Sequence, residues 1–140
     1  MILRPKKTKF KKSFKGRIHG KAKKCFKIAF GKFALKALEP SRVEESQIES
    51  ARKAINRYLR RSGKLWIRVF PHIPVSKKPT DVRMGRGKGP VEFWISRVKP
   101  GRILFELDSV TKEEAIGAFS RAASKLPIRT KIINDVECRY

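Results

Sequence analysis

A chain of 140 residues holds one hydrophobic core rather than two, and its 36 Lys and Arg against 12 Asp and Glu leave a formal net charge of +24 that repels itself unless a polyanion is near. Hydrophobic residues at 40%, with 9 Phe, exclude a disordered basic tail. No run approaches the ~18 apolar residues of a membrane span, and Cys25 and Cys138, far apart with no CxxC and no histidine at ligand spacing, read as free thiols in a reducing compartment rather than a zinc site or disulfide.

Residues 1–24 carry no acid; the first is Glu39. This segment is basic like a transit peptide but lacks a helical apolar stripe, so it reads as an arm of the mature protein that orders against a partner. A single α+β domain is expected over 25–134, followed by a tail at 135–140. Its first element, "CFKIAFGKFALKAL", alternates apolar and basic with a phase change at Gly31, which predicts one strand bulged at that glycine. In "EPSRVEESQIESARKAINRYLRRSG" the Ser41/Glu44 spacing predicts a capping box opening a helix with an inward stripe of Ile48, Ala51, Ile55, Tyr58 and Leu59. Its outer cations, Arg52, Lys53, Arg57, Arg60 and Arg61, follow acids in the first turns, so the helix dipole explains them as well as a ligand does.

Strands are predicted at "KLWIRVFP", "VEFWISRV" and "RILFEL", the last two joined into a hairpin by a type II turn at Pro100-Gly101. A second capping box, Thr111 to Glu114, opens a helix with Ala115, Ala118, Phe119, Ala122 and Leu126 inward, and "IRTKII" closes the domain as a strand. The sum is an α+β fold: a mostly antiparallel sheet with two helices packed on one face, a basic arm, and a long Gly-rich loop over 76–90.

That loop contains "RMGRGKGP". It is not a dinucleotide fingerprint, because Pro90 stands at the third glycine's place and a strand follows. It is not a P-loop, because Gly87-Lys88 is followed by Gly89 and Val82 occupies the upstream glycine position. What remains is a flexible backbone that brings Arg83, Arg86 and Lys88 close to phosphates. Neither His19 nor His72 pairs with a Cys, Ser or carboxylate, and most Glu residues sit at helix starts; Glu92, Glu106 and Asp108, on or beside strands, can counter neighbouring cations. No enzyme, metal or cofactor is expected. Trp66 with Phe70, and Trp94, could stack on bases, but core packing is the preferred reading. Without a helix-turn-helix, zinc finger or basic zipper, structured RNA is the favoured polyanion.

The stretches "KKTKFKKSFKGR", "FGKFALKAL", "GKLWIRVFP", "RMGRGKGPVEFW" and "PGRILFEL" stand in the order and spacing of the large-subunit ribosomal protein L-sixteen family of bacteria and organelles, which the chain resembles to about "LPIRTKII". The resemblance implies an α+β constituent of the large ribosomal subunit that performs no chemistry. It would bind large-subunit rRNA below the central protuberance, touch neighbouring ribosomal proteins, help position A-site and P-site tRNA, and support late assembly. It implies RNA contacts from Arg4, Lys6, Lys7, Lys9, Lys11, Lys12 and Arg17 of the arm and from Arg52, Arg57, Arg60, Arg61 and Lys64. Arg83, Met84, Gly85, Arg86, Gly87, Lys88 and Gly89 would form the loop nearest the peptidyl-transferase region. A homo-oligomer is not expected. "ALEPSR" and "PGRILFEL" look organellar, which suggests a mitochondrion ahead of a plastid or bacterial cytoplasm. A free RNA chaperone is the alternative function.

Overall fold

The computed structural model describes residues 3–134; the tail expected over 135–140, with Cys138, lies outside the described residues. In chain order the elements are β1 (Phe33–Ala37), β2 (Ser41–Glu44), α1 (Glu45–Tyr58), β3 (Lys64–Ile67), β4 (Ile73–Ser76), β5 (Val91–Val98), β6 (Ile103–Asp108), α2 (Lys112–Ala123) and β7 (Thr130–Asn134). The fold is α+β, and every strand ladder is antiparallel.

The strands form two sheets where one was expected, ordered β3-β6-β1-β7 and β2-β5-β4. The difference turns on Pro100-Gly101. Arg102 N–H donates to the Lys99 carbonyl at 3.2 Å and Gly101 has φ +89, the geometry of the expected type II turn. The strands it joins nevertheless do not pair: β5 runs between β2 and β4, while β6 runs between β3 and β1. The predicted hairpin is therefore a corner between sheets.

Alternation along the larger sheet explains how it is covered. One face presents Leu35, Phe105 and Leu107 to the stripes of both helices, including Ile48, Ala51, Ile55, Ala115, Ala118, Phe119 and Ala122, all fully buried. The other face carries a row set by register: Trp66 opposite Glu106, Glu106 opposite Ala34, Ala34 opposite Ile133. Among the described residues no helix covers this second face. The root of the arm does, with Ile28 packed on Ala34, Ile103 and Ile133.

That covering corrects the expectation of one bulged strand from Cys25 onward, since β1 starts only at Phe33. The N–H groups of Ala29, Phe30 and Gly31 are turned to the Glu106 carboxylate instead of a ladder, Phe30 at 2.7 Å and Gly31 at 3.1 Å. Gly31 lies so close to β6 that a Cβ there would fall on the Leu107 carbonyl. The register irregularity sits instead between Leu35 and Lys36, against β6.

The first capping box is displaced as well. Ser41 belongs to β2, and Glu44 is the N-cap of α1, its carboxylate accepting from the Gln47 N–H while its own N–H donates to the Gln47 side chain. The second box is as expected: Thr111 N–H and hydroxyl donate to Glu114, which holds that carboxyl below its usual range, and the Glu114 N–H returns a bond to the hydroxyl. β4 was not foreseen. It spans Ile73–Ser76 and takes Ser76 from the loop expected over 76–90, and its Pro74 is tolerated because β4 is an edge strand.

Candidate nucleic-acid interface

The glycine loop leaves β4 and returns to β5 through a narrow base. Lys77 N–H donates to the Pro90 carbonyl at 3.1 Å, and a Cβ at Gly89 would stand 2.5 Å from the Lys77 carbonyl, so only glycine closes this neck. Beyond it Gly85, Arg86 and Gly87 take φ of +104, +53 and +85 in succession. Such a run turns the backbone sharply and is strained at Arg86, the one residue of the three with a side chain to clash. Among the described residues nothing lies within 4 Å of where a Cβ would stand at Gly85 or Gly87. The tip is open to an approaching backbone, with Met84 92% exposed and Lys78 bonded to the Gly85 carbonyl beneath it.

Arm and loop meet. Lys12 Nζ donates to the Lys88 carbonyl at 2.5 Å, Lys88 Nζ donates to the Ser13 carbonyl at 2.7 Å, and the Lys88 ammonium lies 5.4 Å from the centre of the Phe14 ring. Cations of the smaller sheet hold the arm by its carbonyls, Arg42 to Gly16 at 2.7 Å and Arg97 to Phe14 at 3.3 Å. Further along, Arg17 to Lys24 and the corner residues Arg97, Lys99 and Arg102 enclose a cationic cleft. The Nε atoms of Arg97 and Arg102 are buried and have no hydrogen-bond partner among the described residues.

The structure thus brings Lys12 and Lys88 together, with Arg17 in the adjoining cleft. Arg4, Lys6, Lys7, Lys9 and Lys11 are exposed along the arm, and Arg83 and Arg86 are exposed on the loop. Arg42, Lys78, Arg97, Lys99 and Arg102 were missed by sequence reasoning. The available signal was the outward cation in "SRV" and "ISRV" and the paired Lys99 and Arg102 around the turn.

A second cationic group forms where α1 ends. Arg60 and Arg61 both adopt left-handed backbone, φ 48 and 69, and Arg61 N–H donates to the Asn56 carbonyl at 3.1 Å. Unwinding there gathers Arg57, Arg60, Arg61 and Lys64 around one open depression. Arg52 does not join them. Its guanidinium donates to both Glu49 oxygens, at 2.8 and 2.7 Å, and these bonds hold the Glu49 carboxyl down at about 2, so the two charges cancel locally.

The aromatics depart from the core-packing expectation. Trp66 and Trp94 are only half-buried, and Phe70 is exposed. Among the described residues no group of His, Cys, Asp and Glu could hold a metal ion.

A family model described as Ribosomal protein L16p/L10e matches residues 5–133. Similar curated proteins are named large ribosomal subunit protein uL16. That of Beijerinckia indica is 58% identical over 136 residues, covering 97% of this chain and 99% of that protein. Those of Sphingopyxis alaskensis and Rhodospirillum rubrum are each 61% identical over 132 residues, covering 94% of this chain and 92% and 96% of theirs. These relatives are bacterial, so the mitochondrial expectation drawn from "ALEPSR" and "PGRILFEL" finds no support in them.

Proposed function

The chain belongs to the ribosomal protein L16p/L10e family, and from that membership we propose that it is a structural constituent of the large ribosomal subunit whose arm and glycine loop together bind large-subunit rRNA beside the tRNA sites. The family is one of structural components rather than enzymes. The observation that carries the reading is the interlock of Lys12 and Lys88 through each other's backbone neighbourhood. Two segments 76 residues apart bring their cations side by side, which suits a folded phosphate backbone better than a small anion.

In this reading the arm cations and Arg57, Arg60, Arg61 and Lys64 neutralise phosphates and fix RNA elements. The loop tip, Arg83 to Gly89, lies toward the acceptor ends of A-site and P-site tRNA. Neighbouring ribosomal proteins complete the surroundings, and late assembly depends on the contacts.

The test replaces Arg83, Arg86 and Lys88 by Ala together. No core position changes, so the isolated protein keeps its circular dichroism spectrum and still unfolds in one cooperative transition. Large subunits assembled with it bind tRNA more weakly or form peptide bonds more slowly. Wild-type protein co-sediments with large subunits in moderate salt, because many phosphates are engaged at once. Recovery only in ribosome-free fractions, on RNAs of no common origin, would instead favour a free chaperone.

A further inference from the structure

We propose that the Phe30–Trp66 pair is a stacking site for an unpaired nucleobase, with Lys64 taking the adjoining phosphate; this rests on the RNA-binding reading above and adds a base contact that phosphate neutralisation does not require. The rings stack nearly parallel, 17° between planes with centroids 6.0 Å apart, on the sheet face that no helix covers among the described residues. Phe30 remains 58% exposed although its backbone N–H is bonded to Glu106 and its ring rests against Trp66 and the Arg68 guanidinium. An aromatic held rigidly yet left open is placed to receive a flat partner, because the ordering cost has already been met by the fold.

The charges around it are arranged for a nucleotide. Lys64 Nζ lies 5.1 Å from the Trp66 ring centre and the Arg68 guanidinium 4.9 Å from the Phe30 ring centre. Arg68 is tied to buried Glu106 and stays, whereas Lys64 is exposed and can swing aside. Lys64 also lines the depression with Arg57, Arg60 and Arg61, so a strand whose base lies on the rings has its phosphates led into that cluster.

Trp94→Phe in the full-length chain leaves Trp66 as its sole tryptophan, since the sequence has 2. This protein is titrated with an end-labelled oligoadenylate and with an abasic oligomer of equal length; label anisotropy reports binding and Trp66 emission reports stacking. Both oligomers should bind, and only the oligoadenylate should quench Trp66. Phe30→Leu should weaken oligoadenylate binding at least about fivefold while leaving the abasic affinity and the salt dependence unchanged. Binding of both oligomers with unaltered Trp66 emission, or an equal loss for both in Phe30→Leu, would overturn the stacking site while sparing the RNA reading. Failure of both to bind at low salt would overturn that reading and the stacking site with it.

Discussion

Glu106 shows how one residue can join the arm to the fold. It is fully buried on β6, yet it accepts from three consecutive N–H groups of the arm root and from Arg68. A buried carboxylate is tolerated only when paired and hydrogen-bonded, and here both conditions hold. Removing it leaves a guanidinium and three amides without their acceptor. Glu106→Ala should therefore cost about 3 kcal/mol in chemical denaturation, in the range for breaking a buried pair. Glu106→Gln, which keeps one accepting oxygen, should cost less. A Glu106→Ala midpoint equal to wild type would mean that water replaces the carboxylate. Sequence reasoning identified Glu106 as a counter-ion for a neighbouring cation, and Arg68 is one. The amides of residues 29–31 were out of its reach, because they are 75 to 77 positions away and backbone donors carry no sequence signal.

At the scale of elements, the two helices show what local pattern can and cannot specify. Thr111→Ala removes the hydroxyl that accepts from the Glu114 N–H, and should lower stability by about 1 kcal/mol in thermal or denaturant unfolding. Ser41→Ala, at the position that the same S-x-x-E spacing marked in α1, should leave stability nearly unchanged, because Ser41 lies in β2 and caps nothing. Equal losses in the two variants would contradict the displaced cap. The misreading has a physical origin: Glu44 is three residues after Ser41 and three before Gln47, so two boxes overlap, and pairing of Val43 with Ser96 decides between them. β4 escaped notice because Pro74 argues against a strand unless its edge position is known. The strand interiors, α2 and the turn at Gly101 were legible from periodicity and turn chemistry. Which strands pair across that turn depends on long-range register, which alternation does not encode. The loop and arm were legible as cationic segments, whereas their contact through Lys12 and Lys88 was not.

For the whole molecule, the balance of charge sets how stability responds to salt. The described ion pairs are few. Glu49–Arg52 and Glu106–Arg68 are at least partly buried, while Lys77–Glu92 at 3.6 Å and Arg129–Glu39 at 3.5 Å are exposed. Exposed pairs contribute about 0–1 kcal/mol each, so screening them removes little. Against this stands a net charge of +24, whose self-repulsion spans the arm, the loop and the end of α1 and is damped once the screening length falls to about 10 Å near 0.1 M salt. Repulsion wins, and the free protein should gain stability with sodium chloride. At this chain length a gain of about 1 kcal/mol raises the melting temperature by about 3 °C. Chloride is the appropriate salt, because sulfate would also strengthen apolar burial and confuse the cause. The RNA-bound protein should respond in the opposite sense: phosphates already neutralise the coat, and added salt weakens their hold. Melting curves of free and RNA-bound protein over the same salt series should therefore converge, the first rising and the second falling. A free protein whose melting temperature falls with chloride would show that its ion pairs outweigh its repulsion, and the cationic coat would then no longer explain why the chain needs a polyanion.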